Sequence, residues 1–121
     1  MSGDQLKRLG WAGNSREALR SLPKAARHDI GRALDRVQRG EEPPSWKPRN
    51  DIGRGVIQLT CRDSAGSYRV FYVAKLGDVV WVLHVFQKKS AGTSRADIEK
   101  GKEAYRALIR YLTASKGEVH D

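Results

Sequence analysis

Arg69, His84 and Lys88 fall within one stretch, Ser67–Lys89, which reads SYRVFYVAKLGDVVWVLHVFQKK. A guanidinium, an imidazole and an ammonium are the side chains that binding and cleaving a phosphodiester would call for. Arginine donates charge-assisted hydrogen bonds to phosphate oxygens in a fork that lysine lacks. Histidine as a type titrates near neutrality, which makes His84 the candidate general acid or base. Arg62 is a second candidate for holding phosphate charge, while Lys47, Arg54, Lys75 and Lys89 are candidate cations for the flanking backbone of such a polyanion. Each has a plainer alternative: a solvated strand face for Arg62 and Arg69, a structural role for His84. His28 and His120 are scattered from it and make no metal motif.

An antiparallel sheet must position this set. Gly77-Asp78 is a two-residue hairpin signal, because Gly tolerates positive φ and Asp tolerates turn geometry. With those residues in the loop, Leu76 opposes Val79, Ala74 opposes Trp81, Tyr72 opposes Leu83, and Arg69 opposes Phe86. Strict alternation then gives one apolar face with Val70, Tyr72, Ala74, Val79, Trp81, Leu83 and Val85. The other face carries Arg69, Phe71, Lys75, Val80, Val82, His84, Phe86 and Lys88. Arg69 is therefore expected beside His84 and Lys88, with Trp81 and Leu83 on the opposite side. A turn at Asp63–Gly66 places Arg62 opposite Ser67, Thr60 opposite Arg69 and Leu59 opposite Val70. Ile57, Leu59 and Cys61 join the apolar face, and Gln58, Thr60 and Arg62 join Arg69; a slip of one residue would bury Arg62.

The remaining chain divides at its prolines and glycines. A short helix is expected over Ser15–Ser21, with Asn14 as N-cap and Glu17 completing a capping box. Pro23 suits the first position of a second helix, which Gly40 ends. Its apolar stripe is Ala26, Ile30, Ala33, Leu34 and Val37. An irregular link, Glu41–Trp46, leads to a weak strand near Lys47–Asn50. Ser94 and Asp97 open a last helix running to about Thr113, with Ile98, Tyr105, Leu108, Ile109 and Leu112 inward. Lys88–Thr93 reads as a polar exit loop and Ala114–Asp121 as a frayed tail. The expected class is α+β: an N-terminal helical hairpin, an antiparallel meander of three to four strands, and a C-terminal helix.

With 121 residues the chain is expected to form one domain, its ordered core spanning about 11–113. There are 23 Lys and Arg against 14 Asp and Glu, a net charge of +9 that favours polyanionic partners. Basic helix residues such as Arg32, Arg36 and Arg39 either contact a polyanion or solvate a face. The single cysteine, Cys61, excludes an internal disulfide and a multi-cysteine zinc site, and suits a buried strand position. Trp11, Trp46 and Trp81 fit core or partner contacts better than base stacking. No window approaches a membrane span and the N-terminus lacks an apolar leader core, so a cytoplasmic location is expected.

Several motifs in order then carry a resemblance. They are Lys47-Pro48, Gly55-Val56, Gly66-x-Tyr68-Arg69-Val70-x-Tyr72, Leu83-His84-x-Phe86-x-Lys88-Lys89, and the helix start Thr93-Ser94-x-x-Asp97-Ile98. Over roughly Trp11–Leu112 the chain resembles the phage-derived Gp49-like, HigB-like toxins of the RelE/ParE superfamily. The resemblance implies a toxin of a type II toxin–antitoxin pair that cleaves mRNA on the ribosome without a metal or small-molecule cofactor. It implies a helix-turn-helix antitoxin as partner, mRNA and ribosome as targets, and no membrane association. The family's strand arginine corresponds to Arg69 and its basic pair to Lys88 and Lys89. Many relatives read E-L-R or E-x-R where this chain has Gln58-Leu59-Thr60, with Arg62 a cation one pleat later. The absent acid favours two other readings within the superfamily: a non-enzymatic, gyrase-poisoning type of inhibitor, and an inactive phage regulator. A generic basic RNA-binding module lies outside it.

Overall fold

The computed structural model describes residues 6–89 and 93–119. The elements are β1 (Arg8–Trp11), α1 (Ser15–Arg20), α2 (Lys24–Gln38), β2 (Trp46–Pro48), β3 (Val56–Asp63), β4 (Gly66–Leu76), β5 (Val79–Lys88) and α3 (Arg95–Val119). The α+β class, the helical pair, the meander and the C-terminal helix are as the sequence predicts. The sheet has five strands, in the order β1-β5-β4-β3-β2. The unforeseen one is β1, which pairs parallel to β5. Its sequence, Arg-Leu-Gly-Trp, is too short to carry a legible period. The Lys7 amide and the Gln38 side chain bind it to the end of α2.

All five stripe residues of α2 are buried, and Gly40 leaves the helix with φ 81°. Pro23 stands just before the first turn, with extended ψ, rather than inside it. Asn14 makes no side-chain cap to α1. Ser15 is buried there instead, and its hydroxyl donates to the Val82 carbonyl at 3.1 Å. At α3, Ser94 does cap as expected, accepting from the Asp97 amide at 3.1 Å. That helix runs on to Val119, past the predicted end. His120 and residues 90–92 of the exit loop lie outside the described residues.

The β3–β4 register matches throughout, including Thr60 opposite Arg69. Between β4 and β5 the two ends match, with Leu76 opposite Val79 and Arg69 opposite Phe86, but the middle slips. Tyr72 faces Val82 and Val73 faces Trp81. Two compensating irregularities produce this: an extra residue on β4 at Ala74–Lys75 and an extra one on β5 at Leu83. A bulge places two consecutive residues on one face, which alternation cannot foresee. Trp81 and Leu83 therefore share a face with Phe71, Phe86 and His84, contrary to expectation. Val80 and Val82 turn to the opposite face. Lys7 Nζ caps the Ala74 carbonyl at the first bulge.

Both faces are consequently apolar. Helix α2 covers Leu59, Val70, Tyr72 and Val82. Helix α3 covers Phe71, Val73, Leu83 and Phe86 through Ile98, Tyr105 and Leu108. A group of polar side chains is left where α3 begins, around Gln58, Thr60 and Arg69. Two helical glycines test this packing. A methyl at Gly31, in α2, would meet no atom within 4 Å, whereas one at Gly101 would lie 2.8 Å from the Phe71 ring. Gly31→Ala should therefore stabilise the fold by about 0.5–1 kcal/mol through helix propensity. Gly101→Ala should destabilise it by about 1–3 kcal/mol despite the same propensity gain. Urea melts of the two variants should move in opposite directions.

Candidate active site

Arg69 is fixed at the centre of β4, paired with Thr60 on β3 and Phe86 on β5. It is only 8% exposed, and among the described residues it has no acidic partner. Its Nη1 donates to Thr93 Oγ1 at 2.7 Å, while its buried Nε has no hydrogen-bond partner among the described residues. Burial, then the neighbouring charges of Arg62 and Arg49, hold this guanidinium below its ordinary pKa. A buried cation in that condition has unused capacity for an anion.

The residue beside it is one the sequence reading passed over. Arg49 follows β2, and contacts with four residues fix its side chain. Nε and Nη2 engage both carboxylate oxygens of Asp51, at 2.9 and 2.8 Å. Nη1 donates to Gln58 Oε1 at 2.6 Å and reaches Thr93 Oγ1 at 3.4 Å. The guanidinium lies 5.4 Å from the centroid of Phe71, in cation–π range. The hydrogen bond to Asp51 raises the arginine pKa and lowers that of the carboxylate. The sequence signal was slender: Arg49 stands directly after Lys47-Pro48 and two residues before Asp51.

His84 shares the Arg69 face, as expected, but it is 8% exposed and engaged. Its Nε2 lies 2.7 Å from Asp97 Oδ1, and its ring stacks on Phe86 at 5.0 Å. Asp97 Oδ2 in turn accepts from Ser94 Oγ at 2.6 Å. The imidazole thus ties the start of α3 to β5.

The other predicted residues divide between two ends of the sheet. Lys88 is opposite Ser67 and half-buried, on the Arg69 side by alternation. Arg62 is exposed at the end of β3, two residues beyond Thr60 on the same side. Lys47 is exposed opposite Gln58. Lys89 is exposed just beyond β5. Lys75 stands apart, exposed at the β4 bulge beside Trp46, Tyr72 and Ala74. Arg54 is also remote, exposed in the β2–β3 connection, where its carbonyl accepts from Tyr105 Oη at 3.1 Å. Among the described residues no three His, Cys, Asp or Glu side chains gather around a metal-sized site, and no helix is long and apolar enough to cross a membrane.

Comparison with known proteins adds two findings. The family model described as phage-derived protein Gp49-like (DUF891) matches residues 17–106. The fold is similar to the free-state structure of an arginine-to-alanine double mutant of the E. coli toxin RelE. That similarity has a TM-score of 0.61 and 21% sequence identity, over 85% of this chain and 98% of that one. No curated protein sequence matches.

Cys61 faces α2, on the opposite side of the sheet from Arg69. Burial, reinforced by the nearby charge of Asp29, pushes its thiol up to about 11. Only the thiolate is nucleophilic, so at pH 8 roughly one thiol in a thousand is reactive. Iodoacetamide should modify the native protein about a hundredfold more slowly than the urea-unfolded chain. Equal rates in the two states would exclude the placement.

Proposed function

The chain belongs to the phage-derived Gp49-like family, and from that membership together with its RelE-like fold we propose that it is the toxin of a type II toxin–antitoxin pair, a cytoplasmic endoribonuclease that cuts mRNA on the translating ribosome. The observation that carries this reading is Arg69: a nearly buried guanidinium, without an acid to neutralise it, on a rigid strand at the edge of a basic surface. The proposed reaction is internal transesterification. The 2′-oxygen attacks phosphorus and loses its proton, the bond from phosphorus to the 5′-oxygen breaks, and that oxygen takes up a proton. The phosphorane gains negative charge as it forms, and fixed cations stabilise it without reorganising.

Arg69 is assigned to the non-bridging phosphate oxygens, with Arg62 and Lys88 supplying flanking charge. His84, oriented by Asp97, is assigned the proton through its other ring nitrogen; a base held by a third group is a recurrent arrangement. Lys47 and Lys89 are assigned to the backbone of the RNA strand at either side. Lys75 and Arg54 lie far from this centre and are assigned to ribosomal RNA. The partner is a helix-turn-helix antitoxin that silences the toxin by covering the basic end of the sheet.

One observation favours a second, non-enzymatic reading. His84 is packed between Phe86 and Asp97, as a purely structural histidine would be, and Gln58 and Thr60 supply no ionisable group. In that case the protein blocks a target by binding alone. Expression of the isolated protein should arrest growth, co-expression of the antitoxin should restore it, and primer extension should reveal new mRNA 5′ ends. Arrest without new ends selects the non-enzymatic reading. On programmed ribosomes Arg69→Ala should slow single-turnover cleavage about 10²-fold or more. Lys89→Ala, which removes an exposed charge beyond the strand, should cost less than about tenfold. Thermal melts of both variants check that folding is retained.

A further inference from the structure

We propose that Arg49 and Arg69 form a two-guanidinium clamp for a single phosphate group, with Thr93 Oγ1 marking the position of one phosphate oxygen. Both Nη1 atoms already converge on that hydroxyl, at 3.4 and 2.7 Å. A hydroxyl oxygen is a neutral acceptor standing between two cations. Rotation about one side-chain bond of Thr93 removes it and admits an oxygen that carries charge. Charge-assisted hydrogen bonds are about twice as strong as neutral ones, so the exchange favours the anion. The buried, unpartnered Nε of Arg69 is a further donor for the same ligand.

The surroundings leave the inward-facing donors of the pair, among the described residues, free of carboxylates. Asp51 engages Arg49 from its outer edge, through Nε and Nη2, and leaves Nη1 pointing inward. On the inner edge the acceptor is Gln58, an amide. Gln58 is 2% exposed, so its position is fixed by packing. An amide at 2.6 Å orients Nη1 without adding a second carboxylate to the one Asp51 already supplies. Phe71 closes the floor with a ring face toward Arg49. Gln58 and Asp51 are positioning residues, whereas Arg49 touches the ligand. The clamp depends on the nuclease reading only for the identity of its ligand, the scissile phosphodiester of RNA.

Binding is measured apart from cleavage. Inorganic phosphate at constant ionic strength, and separately a 2′-O-methyl RNA trinucleotide that cannot be cut, are titrated into labelled protein by NMR. The expected result is saturable shifts at Arg69 Nε–H, Arg49 Nε–H and the Thr93 amide with both ligands, the trinucleotide binding more tightly. Arg49→Ala and Arg69→Ala should each weaken trinucleotide binding about tenfold or more. Gln58→Glu keeps the shape and strengthens the hold on Arg49, so it stays folded, yet it should weaken binding by a similar factor. Lys24→Ala, at the start of α2 on the far side of the sheet, should bind as wild type. Wild-type affinity in Gln58→Glu or Arg49→Ala, or shifts confined to the arginines of α2, would overturn the clamp. Phosphate binding without trinucleotide binding would overturn its assignment to RNA. A protein that binds both ligands but leaves ribosomal mRNA intact retains the clamp and loses the nuclease reading; one that cuts mRNA but binds neither does the reverse.

Discussion

Phe71 is completely buried, and the other parts of the candidate site are placed relative to its ring. One part of the ring meets Gly101, where α3 comes too close for any side chain to intervene. Phe86 lies 5.2 Å away and His84 6.1 Å away, and the Arg49 guanidinium sits in cation–π range. The ring therefore sets how closely α3 approaches the sheet and how deeply Arg49 enters. Closer approach brings Asp97 within reach of His84, and that contact fixes the start of α3 next to Thr93. A residue in the middle of an apolar strand thus controls the spacing of polar groups around it. Interiors packed at crystal-like density pass on such displacements instead of absorbing them.

Keeping two guanidiniums together in a poorly solvated place opposes folding, and the arrangement limits that cost unevenly. Arg49 has a complete set of acceptors: a carboxylate, an amide and a hydroxyl. Arg69 has the hydroxyl alone. Its environment, with burial and two nearby positive charges, is unfavourable to its charged form. Rigid strands on both sides hold it in place regardless. An anion placed beside Arg69 would offset that cost, and the proposed phosphate site rests on this imbalance.

What the sequence made legible follows from periodicity and turn chemistry. The α2 stripe, the β3–β4 register and the facing of Arg69 with His84 came from repeats of 3.6 and 2 and from two turns. The misplacement of Trp81 and Leu83 came from the bulges at Ala74–Lys75 and Leu83. These cancel each other, so neither end of the hairpin betrays them. The parallel strand β1 was hidden because four residues carry no period and its partner is distant in the chain. Asn14 looked like a cap, but burial of Ser15 against Val82 decided the local geometry instead.

Arg49 was hidden for a different reason: it lies outside the strand pattern that organised the search. Set against the E-L-R of the toxins the sequence resembles, Gln58 and Thr60 read as lacking an acid and a base, with Arg62 the nearest cation on the strand. The space is filled from the neighbouring segment. Arg62 is exposed at the strand end and makes no ion pair among the described residues. Arg49 is nearly buried and held on three sides, so its charge is already in place before a ligand binds. Preorganisation, more than distance along the strand, decides which cation can stabilise a developing charge. A cation supplied from β2's exit also changes what the strand may carry: Gln58 can be an amide because the arginine it orients has its carboxylate elsewhere, at Asp51. Arg49, Asp51, Gln58 and Thr93 thus form one connected set, with base and acid both on the segment after β2 and an amide on β3.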